Sequence, residues 1–144
     1  MLKPFLLLSA ASLFVLSPAL ALAAPQDEAQ APPAPSHAGA ANPIKPTTES
    51  LAKAKGLYAI DCAMCHGDNG NGQTDLTKSM SLNMVDFTNA KAMSGKSDGD
   101  LFDIIRNGKD KMPPESAGRA NDTMVWNLII YIRKLAGSEA ASAK

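Results

Sequence analysis

The sequence predicts an all-α domain, and three observations carry that prediction. Apolar residues recur at helical spacing over about 48–65, 100–106 and 122–137. No run of alternating apolar and polar residues offers a credible strand pairing. The first helical segment ends in Cys62-Ala63-Met64-Cys65-His66, which holds both cysteines of the chain.

Each helix has its own start, stripe and stop. In the first, Thr47 or Thr48 supplies an N-cap, and Leu51, Ala54, Leu57, Tyr58 and Cys62 share one face. In the second, Ser97 or Asp98 caps a stripe of Leu101, Ile104 and Ile105, and Asn107-Gly108 ends it. The third starts near Asn121 or Asp122 and runs through Val125, Leu128, Ile129, Ile132 and Leu135 to Gly137. Trp126, Ile130 and Tyr131 lie off that stripe, so this helix must pack on more than one side.

The N-terminus predicts export. Residues 1–23 read as a secretory signal peptide: Lys3 charges its start, Phe5 to Leu16 are apolar, and Ala21-Leu22-Ala23 supplies small residues for cleavage after Ala23. The apolar run is 12 residues, short of the roughly 20 a spanning helix needs, and Pro18 interrupts it. An uncleaved signal anchor is the alternative. Export places the mature chain in the bacterial periplasm. Residues 24–46 are mostly Ala and Pro, bury too little to offset their ordering entropy, and are expected to be a disordered or extended linker with His37 solvated. Residues 47–136 form one domain by length, and 137–144 a flexible tail.

Charge narrows the partners. The 14 basic and 14 acidic residues cancel, and removing Lys3 leaves 13 against 14. A nucleic-acid partner would call for a basic excess, so none is expected.

Cys62-x-x-Cys65-His66 is the attachment sequence for a c-type haem. Each thiol can add across one haem vinyl group, and the imidazole is placed to bind iron from one side. The competing readings fit less well. A thioredoxin-like C-x-x-C belongs beside a βαβ pattern. A structural zinc site wants four Cys or His ligands, and here the only other histidine lies in the linker. A disulfide leaves His66 unexplained. A buried porphyrin would also enlarge the core of a domain of only about ninety residues, and the third helix is expected to pack against both haem and another helix.

A six-coordinate iron needs a ligand opposite His66. Met64 lies within the attachment loop, on the His66 side, and Met124 starts a helix and reads as core. Met112 follows the second helix and directly precedes Pro113-Pro114. A residue before proline is pushed into extended geometry, and two prolines stiffen the backbone that presents the sulfur. Met112 is the preferred candidate; Met80, Met84 and Met93 stay open. Lys109 and Lys111, which flank it, are either ordinary solvated charges or a steering patch for an acidic partner.

Cys62-x-x-Cys65-His66, Leu101-Phe102-Asp103-Ile104-Ile105-Arg106-Asn107-Gly108, Met112-Pro113-Pro114 and Trp126-x-x-x-x-Tyr131 occur in this order. Together, over about Leu51 to Leu135, they resemble a bacterial class I c-type cytochrome. The resemblance implies a small helical domain wrapped around one covalently bound haem c. It also implies thioethers at Cys62 and Cys65, His66 and Met112 on the iron, and a first helix crossing the last with Tyr58 near Leu128 and Tyr131. The implied function is that of a monomeric periplasmic one-electron carrier, not an enzyme, cycling between ferrous and ferric states. Its redox partners would be a respiratory complex, a terminal oxidase or a periplasmic dehydrogenase, met in transient contact. A tethered haem subunit of a larger respiratory oxidoreductase is the alternative. A haem sensor or peroxidase with an open sixth site is another.

One departure stands out. Relatives commonly carry a proline after the haem motif, in a region that donates a backbone carbonyl to the ligand histidine, and here no proline falls between Gly67 and Met112. Asn69-Gly70-Asn71-Gly72 and Asp86-Phe87-Thr88 still resemble the family's loop, so the group orienting His66 is left open. Gly70 and Gly72 are either turn glycines or points of close approach to haem.

Overall fold

Six short-range signals along the chain mature into five α-helices and a 3-10 turn in a computed structural model, which describes residues 36–142, with side chains through residue 136. The expected signal peptide and most of the expected linker lie outside the described residues.

Helix α1, Thr48–Asp61, opens with a capping box in which Thr47 and Ser50 each bond the other's backbone N–H, at 3.0 and 2.9 Å. The Ser50 hydroxyl also reaches the buried Asn127 (2.7 Å). The helix expected over 48–65 is broken once: α1 stops at Asp61, and Ala63–His66 form a separate turn, α2. Gly67, at φ +78, then ends the run.

Two elements went unpredicted, α3 (Asp75–Ser79) and the 3-10 turn Ala90–Met93. Both are too short to show an apolar period, and isolated helices of that length are marginal. They persist because side chains cap them: Thr74 with Thr77, and Asn89 onto the Lys91 N–H. Helix α4, Asp98–Asn107, starts at the expected Ser97 cap, here closed by Asp100.

Helix α5, Asp122–Ser142, is the backbone of the core. Val125, Trp126, Leu128, Ile129, Ile132 and Leu135 are all buried, each contributing about 1.5–3 kcal/mol. It packs against both α1 and α4, as its wide apolar surface requires. Tyr58 of α1 meets Tyr131 at 5.3 Å between ring centroids, as expected. The helix continues through 137–142, which the sequence reading assigned to a flexible tail. One glycine in a helix costs about 1 kcal/mol, and the alanines that follow Gly137 favour continuing. Among the described residues there is no strand, only an isolated bridge between Lys109 and Met112.

The linker expectation also needs correction at its C-terminal end. Residues 36–46 are non-helical, with a turn at Ala38–Gly39, and are docked on α4 and α5. His37 is only partly exposed: its ring centroid lies 4.3 Å from that of Phe102 and 5.6 Å from that of Trp126. Its backbone N–H and its Nδ1 both meet the Asp103 carboxylate, at 2.8 and 3.1 Å. Gly99 makes this possible, because any side chain there would collide with the His37 carbonyl. Composition describes the strap's average stickiness; it is blind to one imidazole finding an aromatic pair and a carboxylate.

Candidate functional site

Cys62, Cys65 and His66 come together because α2 is a single turn. The Cys62 carbonyl accepts from the N–H of both Cys65 (3.1 Å) and His66 (2.8 Å), which holds the two thiols and the imidazole to one end of α1. The next residue is anchored from behind. The buried Tyr58 hydroxyl donates to the Gly67 carbonyl at 2.8 Å, and burial raises that phenol's pKa, so it stays a donor. The His66 carbonyl accepts from Gly72 N–H at 2.8 Å.

Both cysteines are free and half-buried. Burial, with Asp61 and Glu115 nearby, pushes the Cys62 thiol up to about 12. A reactive or metal-binding cysteine wants the opposite shift, whereas a neutral thioether fits such a pocket. Burial also lowers the His66 pKa, so the ring is neutral, with a lone pair available for a metal. His66 Nδ1 is buried and has no hydrogen-bond partner among the described residues. Its ring lies 4.6 Å from that of Phe87 at an interplanar angle of 15°. No three His, Cys, Asp or Glu side chains gather as a metal set among the described residues. The donor set that does exist, two half-buried thiols and one neutral imidazole on a single turn, fits a covalent haem.

Met112 arrives on a different element. After α4, Gly108 turns the chain, and Lys109 and Met112 exchange both backbone hydrogen bonds (3.0 and 2.8 Å) in a tight hairpin. Arg106 staples the segment down, donating to the Glu115 carbonyl (2.9 Å), the Ala120 carbonyl (2.6 Å) and the Asp122 carboxylate (2.8 Å). Arg119 pairs with Asp61, the residue before Cys62, and so ties this loop to the cysteine turn. Cys62, Phe87 and Met112 all pack against the same core. Of the other methionines, Met93 is buried in that core, while Met64 and Met80 are exposed. Met84 packs over Gly72.

Sequence reasoning missed Arg106, the Asp61–Arg119 tie and the Phe87 stack. Phe87 lay within a recognised loop segment, yet nothing in its spacing points at His66. Both loop glycines sit at positive φ against packed chain. Gly70, at φ +88, would set a Cβ 2.8 Å from Leu135 Cδ1, and Gly72 would set one 2.5 Å from Met84 Cβ.

An all-α domain whose first helix ends in the haem attachment turn, and whose last helix packs against that first one, is a c-type cytochrome. More particularly, the chain belongs to the family of cytochrome c oxidase, cbb3-type, subunit III, which matches residues 49–132. The CcoP subunit of the cbb3-type oxidase of Azospirillum brasilense is 28% identical over 97 residues, covering 66% of this chain and 32% of that subunit. The FixP subunit from Bradyrhizobium sp. (strain ORS 278) is 26% identical over 97 residues, 67% of this chain and 31% of its own. The chain thus spans about a third of the length of these curated relatives. Among solved structures, a chain of the Kuenenia stuttgartiensis reducing HAO-like protein complex Kustc0457/Kustc0458 is similar at 27% identity and a TM-score of 0.53. That match covers 65% of this chain and 46% of the other. Among the described residues, no helix is long and apolar enough to cross a membrane.

Proposed function

We propose that this protein is a haem-bearing electron-transfer component of a larger respiratory oxidoreductase, working at the periplasmic side of the membrane. The observation that carries this is the single turn holding Cys62, Cys65 and His66, with the Met112 hairpin stapled to the same core. From the sequence alone a free carrier is the first expectation and a tethered subunit the alternative. The relatives, named as oxidase subunits, support the second. The N-terminal signal segment and an Ala/Pro-rich tether would deliver the domain to its complex.

In this reading Cys62 and Cys65 would hold one haem c through thioethers, and His66 and Met112 would be the residues that ligate its iron. When bound, the haem supplies a one-electron ferrous/ferric couple, which a thioether ligand biases toward the ferrous form. The chain's own residues do the rest. Desolvation keeps His66 neutral. Arg106 and the Asp61–Arg119 pair hold the Met112 loop in one place, so the ligand positions need not reorganise between oxidation states. No acid–base group acts in the step, so the domain relays electrons and leaves substrate chemistry to its partners.

The mass of the mature polypeptide, raised by one porphyrin, tests the attachment; a polypeptide of unmodified mass defeats the reading. Met112→Ala is expected to abolish the ferric sulfur-to-iron absorption band near the red edge and to open the ferrous iron to carbon monoxide. A wild-type protein that already lacks the band and binds carbon monoxide rapidly is instead a sensor or peroxidase. Gel filtration of native extract separates a subunit, eluting with a complex, from a carrier running near its own small mass.

A further inference from the structure

A ligand histidine ordinarily has its ring plane set by the nitrogen that does not bind metal, which donates to a carbonyl or carboxylate. Here that nitrogen is orphaned. His66 Nδ1 is buried without a partner among the described residues, and the loop has no proline to present a carbonyl in the usual way. A flat hydrocarbon surface faces the imidazole instead. The Phe87 ring lies 4.6 Å away and within 15° of parallel, a separation at which aromatic rings attract.

Phe87 is itself held on several sides. Its N–H donates to the Gly70 carbonyl at 2.8 Å. Its Cβ would sit 3.1 Å from a Cβ added at Gly70, a spot that Leu135 of α5 also crowds. Asp86 and Thr88, its neighbours, are locked in a turn, with the Asp86 carboxylate accepting from the Thr88 N–H (2.9 Å) and hydroxyl (2.6 Å). The His66 backbone is pinned through its carbonyl to Gly72 N–H. Two rings on fixed backbones thus face each other. Turning the imidazole about its Cβ–Cγ bond would drive its edge into the phenyl face.

We propose that Phe87 is the positioning residue for His66: stacking against its ring, rather than a hydrogen bond at Nδ1, sets the plane of the ligand imidazole. This rests on the iron-binding role proposed for His66 above. It adds two consequences that a merely structural phenylalanine would not have. The planar face, not the apolar volume, is what matters, so Leu and Tyr at position 87 should behave differently. The Nδ1 proton should have no acceptor.

The test compares Phe87→Leu with Phe87→Tyr in the haem-loaded protein. Leu keeps the apolar bulk and removes the flat face, and is expected to shift the ferric EPR g values and the contact-shifted haem methyl resonances. Tyr keeps the face and is expected to return both to the wild-type pattern. Unchanged spectra in Phe87→Leu overturn the proposal, as does a Tyr variant no closer to wild type than Leu. Should Phe87→Leu fail to fold, the wild-type protein still decides. With ¹⁵N-labelled histidine, the ferrous Nδ1 shift should be that of an N–H without an acceptor, and a hydrogen-bonded shift refutes the idea. Wild-type protein that carries no covalent haem, or whose iron is not bound by His66, would instead strike down the ligand assignment itself, a separate result.

Discussion

A methyl group added at Gly99 should unseat the N-terminal strap. An ideal Cβ there falls 1.7 Å from the His37 carbonyl oxygen, 2.7 Å from its carbon and 2.9 Å from the Ala40 nitrogen. All three atoms are backbone, so no rotamer change relieves the clash and the strap must lift. Lifting breaks at least four well-formed hydrogen bonds: Gly99 N–H to the Ala40 carbonyl (2.9 Å), His37 N–H to Asp103 (2.8 Å), the Ser36 hydroxyl to Asp103 (2.8 Å) and Gly39 N–H to Ser97 (3.1 Å). At about 0.5–1 kcal/mol net each, these amount to roughly 2–4 kcal/mol. Replacing glycine by alanine in a helix returns about 1 kcal/mol. Detachment is always open to the chain, so the strap's own docking energy caps the loss. Gly99→Ala is therefore expected to destabilise by about 1–3 kcal/mol. At about 4–8 °C per kcal/mol for a domain of this size, that is a drop in Tm of several degrees or more. Gly56, inside α1 with nothing within 4 Å of an added Cβ, is the control. Gly56→Ala should stabilise by about 0.5–1 kcal/mol. Thermal unfolding of both, with hydrogen exchange read over residues 36–46, measures the contrast. If Gly99→Ala raises Tm as Gly56→Ala does, and the strap amides stay protected, the docking described here is wrong.

Two further outcomes follow from the Met112 loop. Burial, with Asp61 beside it, raises the Glu115 pKa against the smaller pull of Arg119 and Arg106. The native state then holds this proton after the unfolded chain has lost it, so its stabilising effect is present below the ordinary carboxylate range and fades as pH rises through the native pKa. Glu115→Gln is expected to raise Tm at pH 7, and the difference from wild type should vanish near about pH 4; a gain that grows toward acid contradicts the assignment. Arg106→Lys keeps the charge but cannot span two carbonyls and a carboxylate. Urea unfolding should show a loss of about 1.5–3 kcal/mol, and an unchanged midpoint would mean the staple is dispensable.

Local chemistry left clear marks in the chain. The capping residues of α1 and α4, the apolar stripes and the tight Cys-Cys-His spacing depend on neighbours a few positions apart, so their pattern is visible without a fold. For the same reason the all-α class and the three main helices were legible, as was the attachment turn. What sequence could not show depends on residues brought together from far along the chain. His37 meets Asp103 across 66 positions, and Arg119 meets Asp61 across 58. Phe87 finds His66 only after the loop between them has closed. Composition made residues 36–46 look featureless because their order comes from one glycine, one carboxylate and two rings on other helices. Hydrogen-bond and packing energies become available only once the chain's entropy of closure has been met by the core as a whole, so the partner of a side chain is a property of the tertiary fold, while its helix is largely a property of its neighbours.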